Sequence, residues 1–297
     1  MNVIETSGLG KRYGHTWALR ECTLAIPAGH LAALVGPNGA GKTTLMNMTV
    51  GLSGPTTGTA TVLGGQPAGS PCALDGVAFV AQDTPAYRNL SAGDMLHLTG
   101  NLNRRFDQPY ARGRLGELGI PLGKKVGRLS GGQQAQLALT LALARRPRLL
   151  ILDEPLAMLD PLARFDFMDT VMTAASRDGL SVVLSSHVLA ELERVADYLI
   201  LLSHGRMQVA GEVKSLLAGH LVLTGPADAA GPLAERLPVV HIARDDDRAR
   251  LLVSSGGQAG ELPDGWHHEP ASLEEMVLGY LREPGASAYP QREEVTA

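Results

Sequence analysis

The most informative stretch of this 297-residue sequence is Gly36-Pro37-Asn38-Gly39-Ala40-Gly41-Lys42-Thr43. It follows the apolar run at residues 31–35, which predicts a strand, and it leads into residues 42–50, which predict a helix that stops at Gly51. Closely spaced glycines between a strand and a helix let successive backbone N–H groups, together with the positive end of the helix, face a phosphate. The stretch therefore predicts a phosphate-binding loop.

Two side chains make this loop suited to a nucleotide. Lys42 brings a full positive charge to the β- and γ-phosphates, and Thr43 offers a hydroxyl to Mg²⁺. The alternative is a glycine-rich turn that merely precedes a helix, and the strand, the lysine and the threonine together argue against it. We expect ATP or GTP to be bound. The candidate residues are Gly36, Asn38, Gly39, Gly41, Lys42, Thr43 and Thr44.

Two acidic residues follow a second predicted strand. Residues 149–152 are a continuous apolar run, typical of a parallel strand buried on both faces, and the run ends at Asp153. Asp153 is a candidate Mg²⁺ ligand at the end of that strand. Glu154 is a candidate to orient and deprotonate the water that attacks the γ-phosphate. Alone the pair would be an ordinary acidic strand end, and the phosphate-binding loop upstream favours the catalytic interpretation.

A second candidate anion site is the stretch Leu129-Ser130-Gly131-Gly132-Gln133-Gln134. It opens a predicted helix that runs to Pro147, with Ser130 as the candidate N-cap. Viewed alone, two glycines after a serine could simply be a capped turn.

Composition argues against several other classes of protein. The chain has 26 basic and 30 acidic residues, a net charge of -4, so no nucleic-acid partner is expected. Its two cysteines, Cys22 and Cys72, form no CxxC or Cys/His cluster, which argues against structural zinc and a disulfide framework. The apolar runs are far shorter than the roughly 20 residues of a membrane helix, and the start lacks a signal-peptide pattern. We expect a cytoplasmic location.

The remaining pattern predicts further helices and strands. Short strands are expected near residues 3–4, 23–26 and 59–63, and helices from residue 83 to 146 in an inserted subdomain. A helix that begins at Pro161 should end at Gly179, followed by strands at 180–184 and 198–202 with a hairpin at 203–206. The predicted helix breaks in the subdomain are Gly93, Gly100, Pro109, Gly119, Pro121 and Gly127. The predicted buried face of the helix from Pro161 is Phe165, Met168, Met172 and Ala175.

The pattern changes again beyond residue 218. Strands are expected at residues 221–223, 239–242 and 251–253 and a helix at 273–281, which together predict an α+β accessory domain over 218–283. Residues 284–297 combine proline, glycine and charge without periodicity and predict a disordered tail.

With these motifs in place, the chain resembles the ABC ATPase family over residues 2–217, because Leu-Ser-Gly-Gly-Gln at 129–133 precedes Asp153 in that family's order. The resemblance implies an α/β fold: a P-loop NTPase core with a mixed, mainly parallel sheet, an N-terminal antiparallel β subdomain and the inserted α-helical subdomain at about 83–146. Residues 1–217 would form this ATPase domain, followed by the small C-terminal accessory domain.

The resemblance also assigns roles to four further residues. Tyr13 would stack on the adenine, and Gln82 would sense Mg²⁺ and the attacking water. Asp160 would lie in the loop that communicates across a dimer, and His187 would contact the γ-phosphate. The chain departs from the family at Ala135-Gln136, where a basic residue is usual, and at Ala157-Met158, where Ser-Gly is usual.

The resemblance further implies partners. Two subunits would meet head to tail, so that Ser130, Gly131 and Gly132 of one complete the nucleotide site of the other, which is a second copy or a paralogous subunit. An integral membrane permease would hold the pair on the inner face of the cell membrane and seat a helix near residues 82–90. Hydrolysis of ATP to ADP and phosphate would open the dimer and drive transport.

The direction of transport has two candidate answers. Ser272-Leu273-Glu274-Glu275-Met276-Val277 is similar to the closing segment of ATPases that pair with ABC-2 type export permeases, which favours an exporter. The alternative is an importer subunit. A soluble cassette acting in translation or DNA repair is a third option, against which stand the single cassette, the lack of long heptad repeats and the lack of a basic patch.

Overall fold

Three β-sheets organise the computed structural model in the residues that it describes, 1–82, 87–157, 159–186, 188–254, 256 and 262–288. The strands are β1 Asn2–Tyr13, β2 Thr16–Pro27, β3 Leu31–Val35, β4 Thr57–Val62, β5 Gln66–Pro67, β6 Val77–Val80, β7 Leu149–Leu152, β8 Ser181–Ser185, β9 Tyr198–Ser203, β10 Arg206–Glu212, β11 Leu221–Pro226, β12 Val239–Arg244, β13 Arg248–Val253 and β14 His267–Pro270. The sheet orders are β2-β1-β4-β5, β10-β9-β3-β8-β7-β6 and β12-β13-β11-β14.

Helices connect and cover these sheets. They are α1 Lys42–Thr49, α2 Pro71–Gly76, α3 Ala92–Leu102, α4 Gln108–Glu117, α5 Gly131–Ala144, α6 Pro161–Asp178, α7 Leu189–Glu193, α8 Val213–Ala218, α9 Ala230–Ala234 and α10 Leu273–Arg282, with a 3₁₀ turn at Val126–Arg128. Within the described ranges, none of them has the length and apolar character needed to cross a membrane.

The N-terminal sheet is built on a long hairpin instead of the short strands that the sequence predicted. β1 and β2 each contain twelve residues and meet at the turn between Tyr13 and Thr16, where Gly14 adopts a φ of 58°. β1 extends well beyond the predicted residues 3–4 because β2 and β4 both pair with it and satisfy its backbone groups.

The six-stranded sheet forms the centre of the molecule. β3, β6, β7, β8 and β9 are parallel, and β10 joins β9 through the predicted hairpin at residues 203–206. Every residue of β3, β7 and β8 is buried, because one apolar cluster packs on each face of this sheet. The carboxyl ends of the parallel strands therefore share one edge.

The inserted helices differ from the prediction at three of the expected breaks. Gly93 and Gly100 lie inside α3, and Pro109 lies in the first turn of α4, where a proline starts a helix without losing a hydrogen bond. A Cβ on Gly93 would lie 3.2 Å from the Leu122 carbonyl oxygen, so this glycine lets the backbone at Leu122 lie close to the helix. α3, α4 and α5 share an apolar cluster of their own.

The buried face of α6 also differs from the prediction. The helix begins after Asp160 and ends at Gly179, as expected, yet Phe165 is 62% exposed and Met172 is 40% exposed. The core face is instead formed by Phe167, Met168 and Val171. Met168 belongs to both apolar stripes, so helical periodicity alone did not distinguish them.

The part of the chain beyond residue 218 contains the predicted strands and helix, with β14 and α9 in addition. The buried residues of α10, among them Leu273, Met276 and Tyr280, belong to the same apolar cluster as the central sheet. α10 contacts β12 on one side and α7 and α8 on the other. The helix therefore links the third sheet to the central part of the molecule.

The first residues of the predicted tail, up to Ala288, contact β10. Ala288 donates a backbone hydrogen bond to Gln208 and accepts one from Ala210, and the side-chain amide of Gln208 contacts the carbonyl oxygens of Glu283 and Ala286. This segment thus adds to the free edge of β10, which the composition of the tail did not indicate. Residues 289–297 lie outside the described residues.

Candidate functional site

The phosphate-binding loop, Gln82 and Asp153 lie at the carboxyl edge of the central sheet. β6 pairs with β7, β7 with β8 and β8 with β3, all in parallel. The phosphate-binding loop follows β3, Gln82 follows β6 and Asp153 follows β7 directly. Parallel pairing brings these segments side by side, as expected for a ligand site in an open α/β sheet.

Backbone conformations that favour glycine shape the phosphate-binding loop. Gly39 has a φ of 79° and Gly41 a φ of 104°, in the left-handed region that other residues rarely adopt. A Cβ on Gly41 would lie 2.6 Å from the carbonyl oxygen of Ala18, so β2 packs directly beneath the loop. A Cβ on Gly39 would have no neighbour within 4 Å, which leaves open space on the outer side of the loop. Asn38 and Thr43 are exposed and Thr44 is partly exposed.

Lys42 lies at the first position of α1 and is only 6% exposed. Its ammonium group donates hydrogen bonds to the carbonyl oxygens of Gly36 at 2.7 Å and Pro37 at 3.3 Å. It also lies 3.5 Å from the Glu154 carboxylate. Lys42 thus contacts both the loop and Glu154, which lie far apart in the sequence.

The acidic pair is held by a serine that the sequence analysis did not select. The Ser185 hydroxyl donates to Asp153 Oδ1 at 2.7 Å and accepts a hydrogen bond from the backbone N–H of Glu154 at 2.8 Å. Asp153 is 1% exposed and Ser185 is fully buried. The sequence signal that could have identified Ser185 is a polar residue at the end of β8, which lies at the same edge of the sheet.

The donor set at this edge fits Mg²⁺. Hydroxyl, carboxylate and amide oxygens are hard ligands, and they are offered by Thr43, Asp153 and Gln82. The described residues contain no group of three or more His, Cys, Asp or Glu side chains that could hold a metal by themselves. A single protein carboxylate suits Mg²⁺ that is held together with substrate phosphates.

The second candidate anion site lies at the start of α5. Ser130 accepts a hydrogen bond from the N–H of Gln133 at 3.2 Å, and the Gln133 side chain accepts one from the N–H of Ser130, which completes a capping box. Ser130 and Gly131 are exposed, and a Cβ on Gly132 would lie 3.2 Å from Ala163 of α6. This helix end is therefore ordered and accessible.

The remaining candidates are Tyr13, Asp160, Gln82 and His187. Tyr13 ends β1 with 53% of its surface exposed and the ammonium group of Lys11 lies 5.2 Å from its ring centre. Asp160 is the N-cap of α6 and accepts a hydrogen bond from the N–H of Ala163 at 2.9 Å. Gln82 is exposed. His187 lies outside the described residues, as does Met158.

A family model described as "ABC transporter" matches residues 19–157. An uncharacterized ABC transporter ATP-binding protein, YxlF of Bacillus subtilis, is 32% identical over 222 residues, which cover 72% of each chain. The probable multidrug ABC transporter ATP-binding protein YbhF of Escherichia coli is 35% identical, with 79% of this chain and 42% of the relative covered. The Fe(3+) ions import ATP-binding protein FbpC of Pseudomonas fluorescens is 34% identical, with 71% and 62% covered.

Solved structures share the fold. The ATP-binding subunit of an ABC transporter superposes with a TM-score of 0.65 at 26% identity, covering 72% of this chain and 91% of that one. A dimeric ATP-binding cassette in a post-hydrolysis state, bound to ADP and phosphate, gives a TM-score of 0.64 at 23% identity and covers 71% and 98%. Together they confirm the predicted α/β cassette fold, with its antiparallel N-terminal sheet and its mainly parallel central sheet. On the combined evidence of motif order, fold and relatives, this chain belongs to the family of ABC transporter ATP-binding proteins.

Proposed function

We propose that this ABC ATPase, which binds ATP and hydrolyses it to power transport, works as one half of a head-to-tail dimer beneath an export permease. The observation that carries the proposal is the contact between Lys42 and Glu154 at 3.5 Å. It brings the phosphate-binding lysine and the candidate base for water together at one end of the loop. The nucleotide would be ATP, with its γ-phosphate at this point.

The residues of the site would share the work of binding and hydrolysing ATP. Lys42 and the backbone N–H groups of the loop would bind the β- and γ-phosphates. Mg²⁺, when bound by Thr43, Asp153 and Gln82, would neutralise phosphate charge. Glu154 would orient the attacking water and accept its proton. His187, whose role rests on the family resemblance, would contact the γ-phosphate, and Tyr13 would stack on the adenine.

The dimer follows from the two anion-binding helix ends. Ser130 and Gly131 are exposed at the start of α5, and their ordered cap leaves N–H groups available for a ligand. In a head-to-tail pair, Ser130, Gly131 and Gly132 of one subunit would contact the phosphates on the loop of its partner, with Asp160 near the junction. A related cassette has been solved as a dimer, which supports the association of two subunits. The partner would be a second copy or a paralogous subunit.

The permease would dock in a cleft between the central sheet and the inserted helices. This cleft has a volume of about 310 Å³ and an apolar floor. Its apolar lining includes Leu52, Phe79, Met95, Leu137 and Leu141. Such a cleft suits an apolar helix face of the permease. Docking there would place the chain at the cytoplasmic face of the cell membrane.

Two relatives support opposite directions of transport. The multidrug relative favours export, as does the similarity of Ser272–Val277 to the closing segment of ATPases that pair with ABC-2 type permeases. That segment begins α10, where Ser272 and Glu275 form a capping box. The iron-import relative keeps an importer as the second candidate. Purification from membranes, with identification of the bound permease, distinguishes the two.

Glu154→Gln tests the proposed site. The variant should bind ATP normally and lose at least about 100-fold in turnover, because an amide cannot accept the proton from water. ATP would then hold the dimer closed, so the variant should elute as a dimer with ATP and as a monomer without it. Glu117→Gln, an exposed site on α4, should behave as the native chain. Native turnover by Glu154→Gln would contradict the role of Glu154.

A further inference from the structure

Ser185 has no role in the sequence motifs, yet it contacts both acidic residues of the site. It is the last residue of β8 and is fully buried. β8 pairs with β7, which leads directly into Asp153. The end of β8 therefore lies beside the start of the loop that carries the acidic pair.

One hydroxyl makes both hydrogen bonds. As a donor, Ser185 fixes Oδ1 of Asp153 at 2.7 Å and leaves the second carboxylate oxygen for another partner. As an acceptor, it binds the backbone N–H of Glu154 at 2.8 Å. Alanine could make neither bond, whereas threonine carries the same hydroxyl. Hydrogen bonds of this kind orient the residues that hold a metal.

The backbone conformation of Glu154 makes its hydrogen bond to Ser185 more significant. Glu154 has a φ of 45°, a left-handed conformation that is uncommon for a residue with a long side chain. Such a conformation persists only where neighbouring groups hold it. The hydrogen bond from the Glu154 N–H to Ser185 is one of these restraints, and it acts at the residue proposed to position the attacking water.

We propose that Ser185 is a positioning residue, which sets the orientation of the Asp153 carboxylate toward Mg²⁺ and holds the backbone turn that aims Glu154. The inference rests on the roles proposed above for these two acidic residues. Loss of the hydroxyl should weaken the effect of Mg²⁺ on nucleotide binding and should lower kcat. Phosphate binding by Lys42 should be unchanged, because the two hydrogen bonds of Ser185 do not involve the lysine.

The test compares Ser185→Ala and Ser185→Thr with the control Ser181→Ala. Ser181 lies at the opposite end of β8, is 2% exposed and accepts a hydrogen bond from the N–H of Gly29 at 2.9 Å. It therefore reports the structural cost of losing a buried serine hydroxyl from the same strand. For each variant, the affinity for a fluorescent ATP analogue is measured with Mg²⁺ and with EDTA, and kcat and KM for ATP are measured separately.

Ser185→Ala should bind the analogue like the native chain in EDTA and lose most of the gain in affinity that Mg²⁺ provides. Its kcat should fall about 10- to 100-fold with little change in KM. Ser185→Thr should recover most of the Mg²⁺-dependent gain in affinity and most of kcat. Ser181→Ala should change neither the gain nor kcat. The proposal is overturned if Ser185→Ala keeps the native gain from Mg²⁺, if its affinity falls equally in EDTA, or if Ser181→Ala matches it. Failure of Lys42→Ala to reduce binding would instead refute the site itself.

Discussion

Lys42 shows how the loop prepares a charged side chain for a ligand. An ammonium group that is only 6% exposed needs partners, and the carbonyl oxygens of Gly36 and Pro37 and the carboxylate of Glu154 supply them. These contacts hold the ammonium group at the loop, so little side-chain entropy remains to be lost when phosphate binds. The contacts within the fold therefore already fix the position of the Lys42 side chain.

Lys42→Ala should abolish measurable ATP binding. The substitution removes the full positive charge that would face the β- and γ-phosphates, and a charge-assisted hydrogen bond contributes about 1.5–3 kcal/mol on its own. Calorimetric titration with ATP and Mg²⁺ measures the loss, and the thermal midpoint shows whether the variant is folded. Lys214→Ala, at an exposed position on α8, is the control and should bind normally. Tight binding by Lys42→Ala would contradict the assigned role.

At the scale of elements, α10 joins the third sheet to the central part of the molecule. His220 lies between α8 and β11 and is 3% exposed. Its Nε2 lies 2.8 Å from the Tyr280 hydroxyl of α10, and its Nδ1 lies 2.7 Å from the Leu216 carbonyl oxygen. Burial lowers the pKa of His220 below its ordinary value of 6.5, although the hydrogen bond to Leu216 opposes the shift.

This lowered pKa predicts a pH dependence of stability. Below pH 6.5, His220 takes up a proton more readily in the unfolded chain than in the folded chain. The stabilisation by neutral His220 is therefore complete above that pH and is lost as the pH falls toward the folded-state pKa. The thermal midpoint of the native chain should therefore fall between pH 7.5 and about pH 5. His220→Gln should be less stable at pH 7.5, by about 1 kcal/mol, and its midpoint should change less over this range. An equal pH dependence in both proteins would contradict this assignment.

Some elements could be predicted from local sequence patterns, whereas others depend on long-range packing. The loop, α1 and the buried run of β7 were predictable, because glycine geometry and a fully apolar strand are local signals. The buried face of α6 was not, since two apolar stripes share Met168 and only the neighbouring sheet selects Phe167 over Phe165. Ser185 was missed because a single polar residue at a strand end acquires meaning only from the adjacent strand.

At the scale of the whole molecule, the two candidate anion-binding helix ends belong to different parts of the chain. The loop before α1 lies at the edge of the central sheet, whereas the start of α5 belongs to the inserted helices. Lys42 contacts Gly36, Pro37 and Glu154, and Ser130 is engaged in its own capping box. We propose that a partner subunit brings the two helix ends together around one ATP. Association of the two subunits would then be coupled to nucleotide binding.

Ser130→Ala in the Glu154→Gln background tests this shared site most directly. ATP binding to the single chain and formation of the ATP-dependent dimer are measured on the same sample. Ser91→Ala is the matched control, because Ser91 caps α3 with the same capping box and its loss costs about the same 1 kcal/mol. We expect Ser130→Ala to bind ATP and to raise the dimer dissociation constant by at least about tenfold, since each site loses a hydrogen bond to a charged group. If the dimer of Ser130→Ala is as stable as that of Ser91→Ala, the ATP site is not shared between two subunits as proposed.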